Sequence, residues 1–236
     1  MHSGDVVVAL RGIRKDYRGL RPLRIEHFEL RQSESVALLG LDRAAAEVLV
    51  NMVTAATLPD AGDVDIFGAA TRDITDPDSW LRALDRFGIL SDRVVLLDEY
   101  TAEQNLALPL SLEVDDLKPD VRARVRQLAD EVGIAAETMV QSMRTLGPGA
   151  LLRMRLAKAL ALNPRVLLAE HPTAALTREE TASFAADLSR IASGRDLATL
   201  LITADETFAH AVANRVLTLR PATGELKPAG WRRWFP

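Results

Sequence analysis

The stretch Ser35–Val53, SVALLGLDRAAAEVLVNMV, reads as a buried strand, a tight turn at Gly40 and then a helix. The apolar positions Val48, Leu49, Met52 and Val53 recur with helical spacing. A strand, a glycine and a helix in that order are the frame of a phosphate-binding loop, G-x-x-x-x-G-K-[ST]. In such a loop the backbone N–H groups wrap the phosphates, while the lysine and a metal-bound hydroxyl neutralise them. Counting from Gly40, Ala45, Ala46 and Glu47 stand where the second glycine, the lysine and the hydroxyl belong. Ala46 removes the cation, and Glu47 sets a carboxylate near the start of the helix. Two like charges about 4 Å apart repel by roughly 4 kcal/mol at an effective dielectric near 20, so the position swings from attracting phosphate to repelling it. An acid in the first turn suits a site without phosphate, because it complements the helix dipole. The helix propensity of Arg43–Ala46 predicts a loop rewound into helix, with Arg43 as the available replacement cation.

Outward from this stretch, strands and helices alternate. VVVALRGI and LRIEHFEL precede it as strands, and LPDAGDVDIFG turns at Pro59 and Gly62 into a short strand from Val64 to Phe67. In DPDSWLRAL, Asp76 is an N-cap and Pro77 the first helical residue. RFGIL is a short buried strand. From Tyr100 to Leu162 the pattern is mainly helical, and KPDVRARVRQLADEVGI is its clearest amphipathic helix, closing at Gly133. RVLLAEHP and ATLLIT are apolar strands reached from helices, and RVLTLRPATGELK is a terminal hairpin turning at Thr223 and Gly224. Strands apolar on both faces, alternating with helices, indicate a mostly parallel sheet covered on both sides. The expected class is α/β, with an antiparallel N-terminal β element and a helical insertion.

Composition narrows the function. A chain of 236 residues with 48% hydrophobic content buries a large core. A net charge of −4 argues against nucleic acid as a partner. The absence of cysteine excludes disulfides and thiolate metal sites and fits a reducing compartment. MHSGDVVVAL lacks the basic segment and apolar run of a signal peptide, and no window approaches the roughly 18 apolar residues of a membrane span. His2, His27 and His210 share no ligand spacing and read as surface or packing residues. The tail GWRRWFP interleaves Trp231, Trp234 and Phe235 with Arg232 and Arg233. It reads either as a contact with a lipid interface or as an aromatic plug on the chain's own surface.

Three longer segments resemble the ATP-binding subunits of ABC transporters. LVNMVTAATLPDAGDV is similar to the helix and turn after the family's phosphate loop, and VVLLDEYTAEQNLALPL to the segment after its glutamine loop. LRMRLAKALALNPRVLLAEHPTAAL resembles the helix after the signature motif, the Walker B strand and the D-loop. The likeness runs from about Val6 to Leu226, and the wording NMVTAATLPDAG and NLALPL is nearest to cassettes of the lipoprotein-release and macrolide-export type. It implies a P-loop NTPase-like (RecA-like) core and one cassette domain over residues 1–236. Residues 1–91 and 163–226 would form the core, 92–162 a helical subdomain, and 227–236 an aromatic and basic tail.

The resemblance also assigns positions, and at nearly all of them this chain departs from the family. Glu170 and His171 hold the places of the Walker B aspartate and the catalytic glutamate. His171 is either a base, with an ordinary pKa near ~6.5, or an incidental replacement. The signature motif becomes LGPGA, Leu146–Ala150: Gly147 has no hydroxyl, Pro148 no N–H, and only the Gly149 amide is kept. Asp92 takes the metal-sensing glutamine position, with an ambiguity of one residue. Ala204, followed by the family-like Asp205, takes the switch histidine's, and Thr177 the D-loop acid's. Tyr17 matches the adenine-stacking aromatic, or is a half-buried packing residue. Tyr17, Gly40 and Gly149 are thus the remaining contacts for a nucleotide, and Ala46, Glu47, Asp92, Glu170, His171 and Ala204 are vacated pocket positions. Glu47 and Glu170 either hold a cation without nucleotide or are solvated or Arg-paired.

These changes point to a catalytically degenerate pseudo-ATPase, a structural or regulatory subunit on the inner face of the cell membrane. Its partners would be a transmembrane permease, docked through Leu96, Leu97 and Tyr100, and an intact ATPase subunit or a second copy. No cofactor is expected. The alternatives are a divergent, active ATPase using ATP and Mg²⁺ through Arg43 and His171, or a scaffold outside transport that reuses the fold.

Overall fold

A computed structural model describes residues 4–230. The chain begins with β1 (Val6–Lys15) and β2 (Leu23–Arg31), an antiparallel pair, and then enters β3 (Ser35–Leu39) and α1 (Arg43–Val53). β4 (Ala61–Ile66) and β5 (Ala69–Ala70) return to the first pair and complete an antiparallel sheet in the order β2-β1-β4-β5. β4 thus starts three residues before the expected strand and stops at Ile66. Phe67 leaves it with φ +51° and stacks beneath the Arg86 guanidinium, 3.3 Å from the ring centre.

α2 (Pro77–Leu84) starts as its sequence predicts, with Asp76 accepting the Ser79 N–H at 2.8 Å. After β6 (Phe87–Leu90) come α3 (Ala102–Ala107), α4 (Pro119–Glu131) and α5 (Pro148–Leu160), joined by loops and 3-10 turns. The chain then alternates through β7 (Val166–Glu170), α6 (Arg178–Gly194), β8 (Ala198–Ile202), α7 (Glu206–Val212) and β9 (Arg215–Arg220). It closes with β10 (Glu225–Pro228). The second sheet runs β10-β9-β3-β8-β7-β6, parallel throughout except for the terminal β9-β10 hairpin. β10 extends through Pro228 and so takes in the first two residues of the expected tail, 227 and 228. His2 and Trp231–Pro236 lie outside the described residues.

β3, β7 and β8 are buried at every position, as their continuous apolar runs require of strands covered on both faces. Two apolar layers flank the sheet. One joins α1 to the antiparallel sheet through Leu49, Met52, Phe28 and Leu10, and the other joins α3–α7 through Leu106, Leu128, Leu156 and Phe184. At the far end of the second layer Arg195, just after α6, grips Glu131 at the end of α4, with Nε 2.6 Å from Oε1. The hydrogen bonds from Arg195 hold the Glu131 carboxyl below the usual carboxylate range, against the opposite push of burial.

A depressed folded pKa adds stability that is present above the unfolded pKa of about 4.3 and is lost as pH falls through the folded value. Glu131→Gln is therefore expected to lower the melting temperature by roughly 2–6 °C at pH 7, the equivalent of about 1–2 kcal/mol. Thermal melts from pH 7 to pH 3 check this, and the gap between the two proteins should close in the acid limb.

Candidate functional site

Because β3, β8, β7 and β6 run parallel, their carboxyl ends lie side by side, at the edge where open α/β sheets take ligands. Gly40 follows β3, Asp92 follows β6, Glu170 closes β7 with His171 behind it, and Ala204 lies two residues past β8. The register aligns them: Leu38 and Glu170 both pair with Ile202, and the His171 N–H donates to the Ile202 carbonyl at 2.7 Å. Gly40 turns with φ +88°, and a Cβ there would stand 3.0 Å from the Leu219 carbonyl oxygen. That turn takes glycine and nothing larger.

α1 begins at Arg43, only three residues beyond the turn. Its N-cap is Asp42, whose carboxylate accepts the Ala45 N–H at 2.8 Å and whose carbonyl accepts the Ala46 N–H at 2.9 Å. The backbone donors at this helix end thus meet an anion belonging to the chain. Winding the segment into helix turns Ala45 and Ala46 inward, to 6% and 1% exposure, among Leu38, Ile202 and Leu49. Glu47 is then the fifth helical residue rather than part of the first turn, so the acid that complements the helix end is Asp42 and not Glu47. Tyr17 sits close by, half-buried, with its ring edge over Gly19, where a Cβ would be 2.6 Å from Cε2. Burial first, and then the charge of Asp42, push its hydroxyl pKa up.

The two acids Glu47 and Glu170 converge on one cation, Arg93. Glu170, at 7% exposure, accepts from Arg93 Nη2 through both oxygens, at 2.6 Å to Oε1 and 2.8 Å to Oε2, and from Nε at Oε2 at 3.1 Å. Glu47 Oε1 accepts from Nη1 of the same guanidinium at 3.2 Å. Burial lowers the Arg93 pKa, but the Glu170 hydrogen bonds and charge, then Glu47 and Asp92, outweigh it and leave it raised. Arg43, the cation expected to replace the lysine, pairs with Asp92 at 2.8 Å, well out in solvent. Among the described residues no group of three or more His, Cys, Asp or Glu side chains is placed to hold a metal.

The remaining positions have local roles. His171 holds φ +41°, a left-handed conformation rare for a side-chain-bearing residue, and its buried Nε2 has no hydrogen-bond partner among the described residues. Beside it a cavity of about 280 Å³ opens between Asp92, Arg155, Pro148 and Leu151. Ala204 is exposed, and Asp205 N-caps α7 by accepting from the Phe208 N–H at 2.9 Å. Thr177 N-caps α6 in a reciprocal capping box with Glu180. Gly147 caps α5 without a side chain, and Gly149 lies in its first turn, close against Glu180. Leu96, Leu97 and Tyr100 lie on the loop before α3, half-buried, while Val95 beside them is 65% exposed. The fully buried Asn105 fixes that loop, accepting from the Leu97 N–H at 2.8 Å and donating to the Leu97 and Thr101 carbonyls at 3.0 Å.

Three residues that position the site went unremarked in the sequence. Asp42 carried a readable signal, an Asp directly before a helical run. Asn105 lay inside the quoted NLALPL wording. Arg93, beside Asp92, gave no signal beyond its charge, because its partners are 46 and 77 residues away. Asp42→Ala is expected to cost about 1 kcal/mol through the lost cap, or roughly 2–4 °C in melting temperature, while Asp42→Asn keeps most of it. Parallel thermal melts of the two variants provide the check.

A family model described as ABC transporter matches residues 23–174. The chain is 32% identical to the phosphonates import ATP-binding protein PhnC of Anaeromyxobacter dehalogenans, over 90% of this chain and 43% of that one. It is 30% identical to the methionine import ATP-binding protein MetN of Brucella abortus, over 90% of this chain and 57% of the relative. The chain thus spans about half the length of these curated relatives. Among solved structures it is similar to the dimeric ABC transporter cassette MJ0796, at TM-score 0.78 and 21% identity over 97% of this chain and all of that one. It is also similar to cbiO1 of Clostridium perfringens, at TM-score 0.81 and 18% identity over 94% of this chain and 87% of that one. The α/β core, the edge of strand ends and the match in sequence agree: the chain belongs to the family of ABC transporter ATP-binding subunits.

Proposed function

We propose that this chain is an ABC cassette without nucleotide chemistry, acting as a structural or regulatory subunit of a membrane transport complex. One observation carries the reading: the helix end that would cradle phosphate is capped by Asp42 and wound in from Arg43. A triphosphate does not fit the residues present. It would meet the Asp42 carboxylate at the helix end and Glu47 one turn on, and Ala46 offers no charge against it. The place of a metal beside Glu170 is taken by Arg93. In the rival reading of an active ATPase, Arg43 is the replacement cation, yet Asp92 engages it, and His171 Nε2 has no orienting partner.

In this reading residues 92–162 form the helical subdomain. Leu96, Leu97 and Tyr100, with exposed Val95, face a transmembrane permease on the inner side of the membrane, and a second cassette, intact or identical, completes the dimer. The named relatives serve import, so the export-type likeness of the sequence wording has no support among them. Among the described residues no helix is long and apolar enough to cross a membrane.

Titration of the purified protein with ATP and Mg²⁺ is expected to give no saturable binding up to about 1 mM; micromolar binding with turnover overturns the proposal. Ala46→Lys alone is expected to destabilise the fold by about 2 kcal/mol instead of restoring affinity, because its position is buried among apolar side chains. Co-purification separates the remaining alternative. A multi-pass membrane protein supports the transport role, and soluble partners alone point to a scaffold outside transport.

A further inference from the structure

The loop from Ser91 to Glu99 carries the chain from the sheet into the helices, and its ties divide into two sets. One set runs into the helical side. Arg155 of α5 donates from Nε to the Val94 carbonyl at 3.4 Å, and Lys158 of the same helix donates to the Val95 carbonyl at 2.9 Å. Asn105 of α3 holds Leu97 through both its N–H and its carbonyl, and the Ser142 hydroxyl donates to the Asp98 carbonyl at 3.0 Å. The other set runs to the sheet side. It consists of Arg93 with Glu170 and Glu47, and of Asp92 with Arg43. These two pairs differ in kind. The Asp92 and Arg43 side chains are 54% and 69% exposed, and an ion pair so wet contributes little. The Glu170 side chain is 6% exposed and is gripped through both oxygens, in the fork geometry that gives an arginine–carboxylate pair its directionality.

We infer that Arg93 is an intramolecular cation that fastens this loop to the end of β7 with no ligand bound. A guanidinium that belongs to the chain reaches the carboxylate intramolecularly, so the tie forms without a metal or a nucleotide. Glu170 is buried and needs a cation, the loop supplies one, and the side chains of α3 and α5 then hold the rest of the loop against the helices. The sheet and the helical side are thereby joined in a single fixed arrangement. Glu47 adds a third, more exposed contact that steers the guanidinium without being required for the grip. This goes beyond the proposed loss of nucleotide binding and is read out separately: ATP titration tests the one, and mobility of the loop tests the other.

Hydrogen–deuterium exchange of the amides of residues 93, 94 and 97, which donate to Ser91 and Asn105, is the experiment, on the wild-type protein with and without Mg²⁺-ATP, on Arg93→Ala, and on the double variant Arg93→Met/Glu170→Met. The double variant removes both charges and so leaves none buried without a partner. Wild-type protein is expected to exchange slowly, unchanged by Mg²⁺-ATP, while Arg93→Ala and the double variant exchange about tenfold faster in this loop and keep wild-type rates in α4. Where Arg93→Ala loosens α4 as well, the double variant decides. A wild-type loop as fast as the variants, a double variant as protected as wild type, or a wild-type loop slowed about tenfold by Mg²⁺-ATP would each overturn the tether.

Discussion

A carboxylate buried at the end of a central parallel strand cannot stand alone, because removing an ionised group from water costs several kcal/mol unless a cation meets it. Glu170 is such a group, and the arrangement around the strand ends follows from how it is met. Arg93 reaches it from the loop after β6, so the loop lies across the strand ends, and Glu47 on α1 is drawn to the same guanidinium. Asp92, beside Arg93, then faces Arg43 at the first turn of α1. A cluster of charges that reads along the sequence as unrelated acids and bases is, in space, one connected set centred on a single buried oxygen pair.

Much of the framework was legible in the chain because it depends on local rules. The apolar runs at Val36–Leu39, Val166–Ala169 and Leu200–Ile202 state that both faces of those strands are covered, and they are. Asp76-Pro77 starts α2 and Thr223-Gly224 turns the last hairpin as their types require. Phe67 was misplaced because its aromatic ring favours a strand, while the stack with Arg86 holds it in the turn beyond one. The site was legible only as a set of departures. Which acid met which base depended on pairings across 46 to 77 residues, and no pattern within a helix or strand encodes those. Glu47 was assigned to the helix end for a related reason: the helix was counted from the family's loop, whereas Asp42 starts it earlier.

The two halves of the strand-end region obey different physics. Around Gly40 and α1 the determinant is packing: small side chains turned inward, a helix end satisfied by its own cap, and a tight turn against Leu219. Around Glu170 the determinant is charge, with a fork of short contacts in a half-dry setting. The first half keeps the shape of a nucleotide-binding cassette, and the second keeps the loop between sheet and helices in place. His171 lies between them in a left-handed turn whose cost the surrounding backbone bonds, His171 N–H to Ile202 and Ala174 N–H to His171, must cover.

The inward turn of Ala45 and Ala46 bears on how this sequence can change over evolutionary time. A lysine at 46 needs the helix unwound, unwinding needs Asp42 to release its two amides, and room for a metal needs Arg93 to leave Glu170. On the proposed reading each of these steps taken alone lowers stability, so the three positions are coupled. On the proposed reading, the alanines that fill the core, the Asp42 cap and the Arg93 fork are one coupled set, so the effect of a substitution at one depends on the other two.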